Sequence, residues 1–149
     1  MNIALVYPRQ MKLPVFFDKV ISIPKEPVLL PPLGLLYIAS NSKYKIDIID
    51  NRLLNLADDE LYEILKEYDV VGFGGTIFEV LQAVEVSKKL RTRNIYTLYG
   101  GSNATVNYEF YDLAFDCVVR GEAELYFDNL IKTRQKGVIN CIRNVHLDN

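Results

Sequence analysis

Apolar residues in this chain gather into short continuous runs separated by longer stretches of mixed character. Ile3 to Tyr7, Lys45 to Ile49, Val70 to Phe73, Ile95 to Tyr99 and Cys117 to Val119 are such runs, bounded by Pro8, Asp50-Asn51 or glycine pairs. They read as strands buried on both faces. Pro32 suits the first turn of a helix that carries Leu33, Leu36, Tyr37 and Ile38 toward the core. Asp58 is placed to cap a helix in which Leu61, Ile64, Leu65 and Tyr68 share one face. After Thr76, the residues Ile77, Val80, Leu81 and Val84 make a further apolar stripe. Glu122 to Lys132 supply a last helix, with Leu125, Leu130 and Ile131 available for packing. Strands alternating with helices imply a parallel sheet joined by right-handed crossovers. The expected architecture is a single α/β domain of flavodoxin-like, Rossmann-like type, three layers deep, with five strands in the order 2-1-3-4-5.

Two segments stand outside this alternation. Residues 8–31 make a loop longer than the ~12 to 15 residues usual in compact domains. Val15, Phe16, Phe17, Val20 and Ile21 within it argue for a partly ordered flap over the ligand crevice. Residues 134–149 form a tail in which Gly137 to Ile142 offers a short edge strand before polar residues take over. The tail holds His146, the only histidine of the chain, which reads as solvated. Lys88, Lys89, Arg91 and Arg93 close one helix, where the dipole favours cations; an anion site is the alternative reading.

Composition narrows the function. The chain has 149 residues, 50% of them hydrophobic, which matches one domain around a single core. Its net charge of -2, with both signs interspersed, leaves no electrostatic footprint for nucleic acid or an anionic membrane. No apolar run approaches the ~18 residues of a membrane span, and no basic leader precedes the first strand. Cys117 and Cys141 are too few and too far apart for a zinc or cluster cassette or a disulfide framework, so reduced thiols are expected. These features describe a soluble, cytoplasmic protein that binds neither nucleic acid nor membrane.

Four cassettes sit where runs give way to loops: Pro31-Pro32-Leu33-Gly34-Leu35-Leu36-Tyr37, Gly72-Phe73-Gly74-Gly75-Thr76, Tyr99-Gly100-Gly101-Ser102-Asn103-Ala104-Thr105 and Val119-Arg120-Gly121-Glu122-Ala123-Glu124. Loops leaving the carboxyl ends of parallel strands line one crevice, and glycine there admits a ligand close to the backbone. A single Gly-Gly pair equally makes a tight turn, but two at successive loops favour ligand approach. Thr76, Ser102, Asn103 and Thr105 add small hydrogen-bonding groups. Arg120 and Glu122 serve either as ligand contacts or as an ion pair steadying a turn. A dinucleotide site is excluded because no GxGxxG follows the first strand, although Asp50 stands where a ribose-binding carboxylate would. A phosphoacceptor receiver lacks its carboxylates, and Pro8-Arg9-Gln10-Met11-Lys12 is no Ser/Thr-rich flavin phosphate loop. No Ser-His-Asp or paired-carboxylate arrangement is present to catalyse a reaction.

In their order and wording, the cassettes resemble the N-terminal cobalamin-binding-type domain of cobalamin-dependent radical S-adenosylmethionine enzymes. The resemblance runs from Ile3 to about Ile142 and is most specific at Pro31 to Leu35 and Val118 to Glu124. It implies cobalamin held by Tyr7, Pro8, Gly74, Gly75, Thr76, Gly100, Gly101, Ser102, Asn103, Ala104, Arg120, Gly121 and Glu122. The implied role is a corrinoid-binding module, non-catalytic alone, that presents cobalamin to a radical S-adenosylmethionine catalytic domain or subunit. The alternative is a relative that has lost the cofactor and serves as a protein-interaction module. Three departures accompany the resemblance. Tyr7-Pro8-Arg9-Gln10 offers no histidine of an Asp-x-His-x-x-Gly lower-ligand loop, so any cobalamin is expected without a protein histidine ligand. Asn103-Ala104 stands where many members carry His-Pro. No Cys-x-x-x-Cys-x-x-Cys motif is present to hold a cluster.

Overall fold

The computed structural model describes residues 1–11 and 30–141. Its strands are β1 (Ile3–Tyr7), β2 (Ile46–Asp50), β3 (Val70–Phe73), β4 (Tyr96–Tyr99), β5 (Cys117–Gly121) and β6 (Gly137–Cys141). Its helices are α1 (Leu33–Asn41), α2 (Asn51–Leu54), α3 (Asp58–Leu65), α4 (Val80–Arg91), α5 (Ser102–Asn107) and α6 (Phe127–Thr133). The strands pair in parallel as one 6-stranded sheet, order β2-β1-β3-β4-β5-β6. The expected five-strand order is therefore extended by a sixth strand, built from the run at Gly137 and paired with β5 from Cys117↔Gly137 to Gly121↔Cys141. The flap expected between residues 8 and 31 lies mostly outside the described residues, as does the tail beyond Cys141, with His146 in it.

Because neighbouring side chains on a strand point to opposite faces, each central strand feeds two cores. Ala4, Val6, Val71, Phe73, Tyr99 and Val118 meet Leu61 and Leu65 of α3 and Val80, Ala83, Val86 and Leu90 of α4 on one face. Ile3, Leu5, Val70, Leu98 and Val119 meet Leu35 of α1 and Phe127, Leu130 and Ile131 of α6 on the other. The crossovers from β3 to β4 and from β4 to β5 send α4 and α5 to the first face, which leaves α1 and α6 to cover the second. That imbalance shapes the site.

Several helix faces differ from the expected ones. In α1 the buried residue is Leu35, with Ile38 packed beside it, while Leu33, Leu36 and Tyr37 are exposed. α3 begins at Asp58 rather than after it. Ala57 is its cap, and the Ala57 N–H donates to the Glu60 carboxylate at 2.7 Å. Asp58, Asp59 and Glu60 then occupy the first turn, where the helix dipole favours negative charge. Ile64, Ile77 and Leu81 are exposed, although the pattern of large apolar residues places them inward. In α4 the buried stripe includes small residues, Ala83 and Ser87, alongside Val80, Val86 and Leu90. The Ser87 hydroxyl donates to the Ala114 carbonyl at 2.9 Å and lies 3.0 Å from the Thr97 hydroxyl, which offsets the cost of its burial. α6 starts at Phe127, and Leu125 is exposed in the turn before it.

Candidate functional site

Two helices cannot cover the carboxyl half of the second face, and a crevice of about 780 Å³ opens there over β1, β3, β4 and β5. Its floor is Leu5, Gly72, Leu98 and Val119, its side walls Leu35 of α1 and Phe127 of α6, and its rim the loops after the strands. At the far end of α1, the Ser42 hydroxyl donates to Asp128 of α6 at 2.5 Å, and the Lys43 N–H to the same carboxylate at 3.0 Å. The two helices are tied together there and closed over the sheet, so the crevice is open toward the strand ends. Mixed apolar walls with a few polar groups are the usual make-up of a small-molecule site.

The structure brings Tyr7, Gly74, Gly75, Gly100, Gly101, Ser102, Gly121 and Glu122 of the expected residues to the lining. Pro8, Thr76, Asn103, Ala104 and Arg120 stand behind it. Glu79, 2% exposed, accepts from the Thr76 N–H at 2.7 Å and the Thr76 hydroxyl at 2.6 Å, and so braces the loop after β3. The Asn103 amide donates to the hydroxyls of Tyr99 at 2.8 Å and Tyr111 at 3.0 Å, and its oxygen accepts from Asn107. Burial pushes the Tyr99 hydroxyl well above its usual range, so it remains protonated. Ala104 is packed in the core. The Arg120 guanidinium lies 4.0 Å from the Tyr108 ring and donates to the Thr105 carbonyl and to Asn140, which locks α5 against β5 and β6.

The two glycine pairs act partly on each other. Gly75 has φ 134 and Gly101 φ 108, values that side chains rarely adopt. A Cβ at Gly101 would stand 3.2 Å from the Gly75 carbonyl oxygen, and one at Gly75 would meet Glu79 at 3.3 Å. The loops after β3 and β4 therefore interlock backbone to backbone. Gly34 differs: among the described residues, a Cβ there meets nothing within 4 Å. Gly100 has its nearest neighbour, Val119, at 3.9 Å. Those two positions leave open space for a ligand.

One charged assembly at the mouth has no counterpart among the cassettes. Arg52, beyond β2, pairs with Asp50 through Nε at 2.9 Å and Nη2 at 2.6 Å, donates to the Leu30 carbonyl and lies 3.8 Å from the Tyr7 ring centre. Asp50 holds the guanidinium pKa above its usual value, while burial and then Glu79 raise that of the Tyr7 hydroxyl. Glu122 and Glu124 line the opposite end. No lining cation is left without a carboxylate partner among the described residues, so the crevice suits neutral, hydrogen-bonding groups better than a bare polyphosphate. The signal for Leu33, Gly34 and Leu35 was the Pro-Pro-Leu-Gly-Leu cassette itself, whereas Arg52 had no local signature. Among the described residues no cluster of three His, Cys, Asp or Glu side chains is placed to hold a metal ion, and no helix is long and apolar enough to cross a membrane.

No family model matches the chain. It is 34% identical over 116 residues to an uncharacterized methyltransferase of Pyrococcus horikoshii, a match covering 72% of this chain and 25% of that protein. The chain thus spans about a quarter of the length of the curated relative it matches. A solved radical S-adenosylmethionine methyltransferase, TsrM from Kitasatospora setae with tryptophan substrate and a SAM analog bound, superposes with TM-score 0.61 at 12% identity, over 91% of this chain and 26% of that one. The N-terminal domain of a hypothetical protein from Thermotoga maritima aligns at TM-score 0.49 and 17% identity, over 80% of this chain and 98% of that one. The TsrM superposition establishes the fold, and the Pyrococcus protein places a methyltransferase among the relatives in sequence.

Proposed function

We propose that the chain is a corrinoid-binding module that serves a methyl-transfer reaction carried out by a radical S-adenosylmethionine catalytic domain or partner. The observation that carries this reading is the glycine-rimmed crevice at the carboxyl edge. Its apolar floor accepts a flat aromatic base, and its mouth offers backbone amides and hydroxyls rather than free cations. Methyltransferases in both the sequence and the fold comparisons support the reaction class.

The residues fit such a group. Gly34 and Gly100 leave the space a Cβ would take, and Leu5, Leu35, Leu98, Val119 and Phe127 supply an apolar slot for the nucleotide base of the ligand. Ser102 and the backbone at Gly74, Gly75 and Gly101 are placed to bond peripheral amides, and Gly121 with Glu122 closes the far rim. Thr76, Asn103, Ala104 and Arg120 position these loops from behind. When bound, a corrinoid supplies a cobalt centre that accepts and releases a methyl group. The chain's own residues would hold it along the glycine rim and shield its base from water at the apolar floor. Exposed Leu30, Leu33 and Val106 on the rim suit contact with a catalytic domain.

Incubation with hydroxocobalamin followed by desalting tests this function. Retained corrin absorbance at about one equivalent is the expected result. A colourless protein refutes it and favours the cofactor-free interaction module.

A further inference from the structure

A second concavity, of about 560 Å³, lies at the opposite edge of the sheet, near the amino ends of β4, β5 and β6. Its lining carries Lys88 and Arg91 from α4, Arg134 from the end of α6, Lys136 before β6, and one acid, Asp116. The sequence groups Lys88 and Arg91 with Lys89 and Arg93, but the fold regroups them. Lys89 turns to Asp59 on α3, while Lys88 and Arg91 meet Arg134 and Lys136, which lie more than forty residues further along the chain.

These cations are incompletely neutralised. Asp116 is 12% exposed and accepts from the Thr97 N–H at 3.0 Å. Its other oxygen is 3.4 Å from Arg91 Nε and 3.9 Å from Lys136 Nζ, so two cations share one carboxylate atom. Lys88 reaches Glu85 only through an exposed pair at 3.1 Å, worth little in water. Arg134 stands 5.9 Å from the Tyr96 ring and makes no ion pair among the described residues. Two helix ends, those of α4 and α6, add at most about half a negative charge each. Four cations against Asp116, Glu85 and these dipoles leave about one positive charge at the concavity, in a chain whose net charge is -2.

We propose that this concavity is a binding site for a small multivalent oxyanion, a phosphate- or pyrophosphate-bearing molecule, separate from the carboxyl-edge crevice. Convergent cations from two chain segments, 88–91 and 134–136, hold such a group by direct charge-assisted hydrogen bonds. The volume lies within the ~300 to 1,000 Å³ of small-molecule sites. Along the sequence, the interspersed charges offer no basic run for a polymer. Ile95 and Tyr96 in the lining are 7% and 3% exposed, so recognition there is by charge rather than by stacking.

The test is titration of the isotope-labelled full chain with inorganic pyrophosphate, followed through backbone amide shifts. Saturable shifts confined to residues 88–96, 116 and 134–137, with Kd below about 1 mM, are expected. Arg134→Asn combined with Lys136→Gln is expected to weaken binding about tenfold, through loss of two exposed charge contacts. Asparagine suits the left-handed conformation at position 134, where φ is 48, so the fold is retained. Shifts that do not saturate, or equal affinity in the double variant, overturn the proposal. A response to an acidic peptide and none to pyrophosphate also overturns it, and assigns the concavity to a protein surface. Corrin retention is not involved in any of these readouts.

Discussion

Replacing Gly34 by phenylalanine separates the crevice from the stability of the fold. Gly34 is the second residue of α1 and lines the crevice, and a Cβ there has open space around it. Glycine costs up to about 1 kcal/mol relative to alanine in a helix interior and less in the first turn where Gly34 lies, and phenylalanine roughly half as much. Gly34→Phe should therefore leave stability unchanged or raise it by about 0.5 kcal/mol, a Tm rise of about 1 to 2 °C for a domain of this size. The ring itself brings about 150 to 250 Å² of surface into the crevice. Corrin affinity should fall at least about tenfold, which corresponds to about 1.4 kcal/mol. Gly101→Val is the contrasting perturbation. Its φ of 108 and the Gly75 oxygen at 3.2 Å impose strain of about 1 to 3 kcal/mol, so binding and Tm should fall together. Calorimetry and a corrin titration on both variants give the readout. Gly34→Phe with wild-type affinity, or with a Tm well below wild type, would show that the crevice is not the site or that Gly34 is not open.

The electron paramagnetic resonance spectrum of the bound cob(II)alamin form should be unchanged by His146→Ala; nitrogen splitting lost in that variant would identify the histidine as a ligand. The isolated chain, supplied with iron, sulfide, cobalamin and reductant, should form 5'-deoxyadenosine from S-adenosylmethionine only at background, and turnover by the pure protein would contradict the module reading. Burial pushes the Cys117 thiol from its ordinary 9.0 up to about 11, so the folded state holds the proton more tightly than the unfolded chain. The associated stability, about 2 to 3 kcal/mol, is present below pH 9 and lost as pH rises through about 11. Between those values, stability from denaturant melts should fall less steeply with pH in Cys117→Ala than in the wild type, and parallel slopes would refute the assignment.

The strands were legible because a parallel strand buried on both faces needs a continuous apolar run, and runs such as Ile3 to Tyr7 and Val70 to Phe73 are too short and too uniformly apolar for an amphipathic helix. Helix faces were harder to read. Periodicity counts large apolar side chains, but α4 packs through Ala83 and Ser87 and exposes Leu81, and α1 packs through Leu35 and exposes Leu36. The sixth strand was legible as a short edge strand at Gly137 to Ile142, whereas its parallel place beside β5 was not, because pairing depends on the whole sheet. At the site, the cassettes located the edge and the glycine loops. They did not separate side chains that face the crevice from those that brace it, since the partners of Asn103 and Arg120 include Tyr111 and Asn140, which no local pattern connects to them. Arg52 and the concavity beside Asp116 were beyond reach for the same reason: each depends on chain segments brought together only by the crossovers.

The uneven distribution of helices over the sheet also bears on how the crevice is entered. Among the residues of α1, Leu35 alone is buried, with Ile38 beside it, whereas α4 carries six buried side chains. Elements with few buried contacts open at a small fraction of the global unfolding free energy. Detachment of α1 about its anchor at Ser42 and Asp128 would uncover the apolar floor while the other face of the sheet stays intact. Under the proposed function, a bulky ligand would be loaded by such local opening, and any contacts it made with Leu35 would tie its release to the movement of that helix.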